Sequence, residues 1–172
     1  MSTKLTPDAL VPTLSLPLVG GGTFTLNENA PDHFTMVVFY RGLHCPVCKT
    51  YLEKLNGLAQ GYSDAGFDTV AVSMNDAEVA EKTVLEWDIG NLKIAYGLTE
   101  EGARNWGLWV SRSIKESEAD VFCEPGLAWV RPDGRLYLID ISNMPWARPD
   151  LEFLLSKTPM AIERGYPARG GD

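Results

Sequence analysis

Leu14, Leu16 and Leu18 alternate with polar or proline positions, and after Gly20-Gly21-Gly22 the alternation resumes at Phe24 and Leu26. A period of two around a glycine turn predicts a β-hairpin with one buried face. Residues 36–40 are wholly apolar, the pattern of a short strand covered on both sides. From Pro46 the period lengthens. Val47, Tyr51, Leu52, Leu55, Leu58 and Ala59 recur at three and four residues, which is helix spacing. Pro46 suits the first helical position because its missing N–H would have had no partner there, and Gly61 and Gly66 bracket the expected end.

Residues 67–74 read as the next strand. Asn75 or Asp76 caps a helix whose inner face carries Val79, Ala80, Thr83, Val84 and Trp87. Residues 92–96 form a weaker strand. Thr99 caps a short helix to about Trp106, with Glu100 and Glu101 favouring its first turn. The charged stretch 111–120 reads as a surface loop. Residues 126–130 and 136–141 are two strands joined by Arg131-Pro132-Asp133-Gly134, a strong turn signal. Pro149 opens a last helix to about Lys157.

The order is hairpin, strand, helix, strand, helix, strand, helix, hairpin, helix. Strand–helix–strand units impose parallel pairing with right-handed crossovers, and the late hairpin adds antiparallel pairs. The expected fold is α/β: a central mixed sheet flanked by helices on both faces, with an N-terminal β-hairpin. The 172 residues form one domain, 1–172, with an N-terminal arm at 1–12 and a loose glycine-rich tail at 167–172. In such sheets, sites gather where a central strand ends and a helix begins. Cys45 lies at that junction.

Charge narrows the partners. Lys and Arg number 15 against 23 Asp and Glu, a formal net charge of −8, which disfavours nucleic acid without a basic patch. The apolar runs are too short to span a bilayer, and the first ten residues lack the layout of an export signal. The expected partners therefore exclude nucleic acid and membrane, and the expected compartment is the cytoplasm.

Cysteine usage points to chemistry. Three cysteines, two of them in Cys45-Pro46-Val47-Cys48, do not make a secreted disulfide framework. A thiol attacks only as its thiolate, and a free cysteine titrates at about 8.5. Cys45 at the mouth of a helix faces unpaired N–H groups and the positive end of the dipole. Arg41 adds permanent positive charge and His44 adds its protonated fraction. Such settings bring a cysteine to about 3.5–7.5. Cys45 is therefore expected to be exposed and ionised at neutral pH, and Cys48, one turn on, more buried and less acidic. Regular helix spacing leaves their Cβ atoms about 5–6 Å apart, too far for a disulfide, so the bridge needs Cys45 off the regular helix. A zinc site would need four ligands, and beyond the pair only Cys123, His33 and His44 remain among Cys and His. No cofactor or metal is expected. Cys123 reads as a small buried residue at a strand start, or more sharply as a third redox thiol. Trp106, Trp109 and Trp146 read as packing, with Trp146 placed to wall the site.

These residues resemble the thioredoxin-like superfamily: a strand, a Cys-x-x-Cys at a helix start, and a later proline opening a hairpin strand. The run from Phe39 to Cys48 (FYRGLHCPVC) is similar to the Tyr/Trp-Arg-Gly-x-x-Cys-Pro-x-Cys site of a branch of the alkyl hydroperoxide reductase/thiol-specific antioxidant, or peroxiredoxin-like, family. The stretch from Glu124 to Gly134 resembles the segment that carries a cis-proline and an Asp-Gly hairpin. The resemblance implies Cys45 as the attacking cysteine, Cys48 as the resolving one, Arg41 and His44 as support for thiolate or substrate, and Pro125 as the cis-proline. It implies an antioxidant oxidoreductase that reduces peroxides and is itself reduced by an external dithiol of thioredoxin or glutaredoxin type; it also allows a homodimer. The chain departs from the usual Pro-x-x-x-Thr-x-x-Cys in having Val38 and Gly42 at the Pro and Thr positions, and Pro125 takes the place of the usual second arginine. Two alternatives stand beside peroxide reduction: protein disulfide exchange by the same pair, and a non-enzymatic metal-binding or interaction module.

Overall fold

The computed structural model describes residues 4–172. Strand β3 (Phe34–Phe39) is buried at all six positions, as its unbroken apolar run requires. It pairs in parallel with β4 (Phe67–Val72), which pairs in parallel with β5 (Lys93–Ala95). On its other side β3 is antiparallel to β8 (Gly126–Val130), itself antiparallel to β9 (Leu136–Ile141). The five-stranded order is β5-β4-β3-β8-β9. This is the expected α/β architecture with a mixed central sheet.

Alternation along β3 builds two cores. Phe34, Met36 and Val38, followed by Tyr40, point to one face, where α1 (Pro46–Asp64) and the segment after α2 (Ala77–Glu86) supply Leu52, Leu55, Tyr62, Trp87 and Ile89. Helix α4 (Leu151–Ser156) closes this layer through Leu151, whose carbonyl accepts the Tyr62 hydroxyl at 2.6 Å. Val37 and Phe39 point to the opposite face, against Ala103 of α3 (Glu100–Asn105), Trp106, and Leu14, Phe24 and Leu26 around the N-terminal hairpin. That hairpin is β1 (Ser15–Pro17) with β2 (Thr23–Thr25). Burial of side chains this size stabilises by about 1.5–3 kcal/mol each, so both layers contribute.

The chain around the hairpin is tied to both margins of the sheet. Asp8 donates to the Leu136 carbonyl at 2.8 Å, Leu136 to Ala9 at 3.0 Å, and Val11 to Gly134 at 3.0 Å. At the far side Val19 donates to Ile94 at 2.9 Å and Tyr96 to Pro17 at 3.2 Å.

Three expectations need correction. The stretch 111–120 is not all loop: Ser111 and Arg112 belong to β6 (Val110–Arg112), paired antiparallel with β7 (Val121–Cys123). Three-residue strands on either side of a charged connection show too few positions for alternation to mark them. A short helix α5 (Thr158–Ile162) follows α4, where the proline at 159 restarts the chain instead of ending it. Pro125 is not a cis-proline: no cis peptide bond occurs among the described residues. Glu124 is held by its N–H on the Trp109 carbonyl at 2.8 Å, and the Pro125 carbonyl accepts from Ser142 at 3.0 Å, so the trans bond already satisfies the strand entry. Of the two residues offered as the α2 cap, Asp76 takes the place, its side chain accepting the Val79 N–H.

Candidate active site

The site begins where β3 runs out. After Tyr40, whose N–H still bonds the Val72 carbonyl at 3.0 Å, the chain turns through Gly42 at φ +126°. A Cβ there would lie 2.7 Å from both Nδ2 and Oδ1 of Asn75. Asn75 fills that space and accepts the Leu43 N–H on Oδ1 at 3.1 Å. A threonine therefore cannot occupy position 42 without displacing Asn75, which gives the departure at this position a physical cause.

The turn delivers Cys45 to the N-cap of α1 with extended backbone angles, φ −104° and ψ 101°. Its Sγ accepts the Cys48 N–H at 3.2 Å, the place an Asp or Ser oxygen takes in an ordinary cap. Pro46 occupies the first turn and no acidic residue does, so the positive end of the helix is left to the sulfur. The off-helix cap is the geometry a Cys45–Cys48 bridge requires. Both thiols are free in this structure.

Electrostatics separate the two sulfurs. The Cys45 thiol is pulled down to about 6, first by a hydrogen bond from the Cys48 thiol and then by the Cys48 N–H, Arg41 and Arg148, all working against burial. Cys48 is pushed far the other way, by burial first and by the Cys45 thiolate next, so it holds its proton while Cys45 is an anion. Exposure differs from expectation. Cys45 has 0% of its surface open to solvent, as does Cys48. Cys45 belongs to the packed layer that holds Tyr40, Cys48 and Leu52, with Leu43 against it, so this cap is covered where the Asp76, Thr99 and Asp150 caps are exposed.

Arg41 faces Cys45 and is itself neutralised. Its Nε lies 3.0 Å from Glu124 Oε2 and its Nη2 3.7 Å from Glu118 Oε1, and its guanidinium stacks over Phe122 at 4.7 Å. Glu124 is buried, and its other oxygen accepts the Ser111 hydroxyl at 2.8 Å. His44 packs against the same Phe122 ring, 4.6 Å between centroids. Burial, then Arg41, holds its imidazole below the usual histidine value, so it is neutral and adds no charge to the thiolate. Pro125 adjoins Tyr51, Asp140 and Arg148 around a small void. Cys123 belongs to the opposite core layer, donates to the Tyr40 carbonyl at 3.5 Å, and is pushed up to about 12 by burial.

Arg148, in the loop after β9, is the residue that sequence reasoning missed. Its Nη2 donates to Cys48 Sγ at 2.7 Å and its guanidinium stacks on the Tyr51 ring at 4.9 Å. Tyr51 in turn donates to the Pro149 carbonyl at 2.7 Å, which fixes the loop against α1. A lone arginine one hundred residues from the cysteine it touches carries no local signal. Beside it a groove of about 570 Å³ runs between Val47, Lys54, Pro145 and Trp146. Trp146 is 72% exposed there and Trp109 is exposed as well, so only Trp106 of the three tryptophans is core packing. Among the described residues no group of three or more His, Cys, Asp or Glu could hold a metal ion, and no helix is long and apolar enough to cross a membrane.

A model of the AhpC/TSA family matches residues 7–139. No curated protein matches the sequence. Among solved structures, a peroxiredoxin-like protein from Aquifex aeolicus superposes with a TM-score of 0.74 at 16% identity, covering 93% of this chain and 90% of that one. Peroxidoxin BcpB from Mycobacterium tuberculosis gives 0.70 at 17% identity, covering 92% and 99%. A candidate thiol:disulfide interchange protein DsbE from Chlorobium tepidum gives 0.66 at 18% identity, covering 92% and 98%. At these identities the likenesses establish a shared fold.

Proposed function

The chain belongs to the AhpC/TSA family and is in general terms a redox enzyme, and from that premise we propose that it is a thiol peroxidase working through Cys45 and Cys48. The observation that carries this reading is the Cys45 sulfur at the α1 N-cap, accepting the Cys48 N–H at 3.2 Å and ionised at neutral pH. The thiolate attacks a peroxide oxygen. The S–O bond forms as the O–O bond breaks, and the departing alkoxide or hydroxide takes a proton. Cys45 is then a sulfenic acid. Cys48 attacks its sulfur, the disulfide forms and water leaves. A dithiol protein of thioredoxin or glutaredoxin type reduces the bridge, returning both thiols. Arg41 supports the thiolate and polarises the incoming oxygen.

Gly42 in the place of a peroxide-binding threonine favours a second reading, disulfide exchange. Cys45 would then attack a partner's disulfide and Cys48 would release it. Stopped-flow mixing of reduced protein with hydrogen peroxide separates the two. The peroxidase reading expects Cys45 to react at least about a hundredfold faster than free cysteine, which needs about 2.7 kcal/mol off the barrier. A rate no better than free cysteine, with insulin-type disulfides reduced quickly, replaces it with the exchange reading.

A further inference from the structure

The cationic charge of this site is unevenly neutralised. Arg41, beside the attacking sulfur, is paired with Glu124 and Glu118. Arg148 has no ion pair among the described residues, and its buried Nε and Nη1 have no hydrogen-bond partner. Its one polar contact is Nη2 on Cys48 Sγ at 2.7 Å. The uncompensated positive charge therefore touches the resolving cysteine and reaches the attacking one only through space.

We propose that Arg148 is a catalytic residue of the second step, holding Cys48 as an anion once Cys45 has been oxidised. The inference rests on the proposed function only in taking Cys48 as the resolving thiol, and it applies to peroxide and disulfide substrates alike. While Cys45 is a thiolate, burial and then the hydrogen bond and charge of Cys45 keep Cys48 protonated. Oxidation of Cys45 removes that charge. Burial of Cys48 is then opposed by the guanidinium of Arg148 and by the Arg41 N–H. Cys48 loses its proton, its sulfur attacks Cys45, and the S–S bond forms as the S–O bond breaks; the departing hydroxide takes up a proton as water. With a mixed disulfide the partner thiolate departs instead. Of the other ionisable groups, Tyr40 at the end of β3 interacts with the charge of Cys48, while Tyr51 on α1 and Asp140 on β9 line the same small void as Arg148. Burial raises the two tyrosines and Asp140, and as acids they are neutral or anionic, so Arg148 is the cation in contact with Cys48.

The test uses dipyridyl disulfide on the reduced full chain. Cys45 releases one coloured pyridinethione, and Cys48 releases the second. In R148M the first release changes less than about threefold and the second slows at least about tenfold, as loss of a charge-assisted hydrogen bond to the attacking sulfur requires. The pH midpoint of the second release moves alkaline, and R148K restores part of the rate. R148Q takes the same measurement if the methionine variant loses its fold. A second release at the wild-type rate and midpoint overturns the proposal, as does equal slowing of both releases. Wild-type protein that performs both releases normally but ignores hydrogen peroxide sinks the peroxidase reading and leaves Arg148 in its role.

Discussion

Cys48→Ala tests the origin of the Cys45 thiolate. In the native site the largest influence drawing Cys45 down to about 6 is the hydrogen bond from the Cys48 thiol. Alanine removes that donor and keeps the backbone N–H at position 48. A hydrogen bond to a charged acceptor is worth about 1.5–3 kcal/mol, or about one to two pH units of midpoint. Cys45 should therefore titrate near 7–8 in the variant, by that same estimate. Cys48→Ser keeps a donor and should stay close to the wild type. The assay is the rate of iodoacetamide addition to Cys45 against pH, read by mass spectrometry of the Cys45 peptide. At pH 7 the wild-type thiol is about nine-tenths ionised if its midpoint is near 6. A Cys48→Ala midpoint equal to that of the wild type would refute the reasoning and transfer the effect to the helix end and Arg41.

Gly42→Thr combines positive-φ strain of about 1–3 kcal/mol with loss of the Leu43–Asn75 hydrogen bond, about 1 kcal/mol. Thermal unfolding should fall by roughly 5–15 °C in a chain this size, and an unchanged midpoint would show that Asn75 can move aside. Arg41→Met leaves the Glu124 carboxylate buried without its cation, at a cost of about 3–5 kcal/mol, and denaturant unfolding should show the double variant with Glu124→Gln recovering most of it. Stability should also follow Cys45. Its native value lies below the ordinary thiol value, so the contribution is absent below about pH 6, grows as pH rises, and is complete above the ordinary thiol range. Urea midpoints of Cys45→Ala should lack that rise relative to the wild type.

What the sequence made legible was local. The β8 and β9 bounds follow from the Arg131-Pro132-Asp133-Gly134 turn between them, and the start of α1 follows from a proline beside a cysteine able to cap it. The Cys-x-x-Cys pair points to redox chemistry through its place between a strand and a helix start and the shortage of further zinc ligands, in keeping with the AhpC/TSA family. What stayed hidden depends on contacts distant in the chain. Arg148 and Asn75 become meaningful only when β9 and β4 bring them beside the α1 mouth. The β6–β7 ribbon has three residues a side, Val110–Arg112 against Val121–Cys123, too short for a period to show beside the charged loop it flanks. The covering of Cys45 has no local signal, because an N-cap is ordinarily a surface position and this one lies within a packed layer. The cis bond expected at Pro125 rests on the resemblance of a motif, and the structure has the trans bond there.

The N-terminal stretch that bonds to both β5 and β9 has a consequence for association. An unpaired strand margin is a template for another chain's backbone. Here the Leu18–Ala95 and Leu10–Arg135 bridges fill one margin at β5 and the start of the other at β9. Strand addition by a foreign peptide or a second molecule would first have to peel this strap away. The later half of β9 is the part of the five-stranded sheet that the strap leaves unguarded.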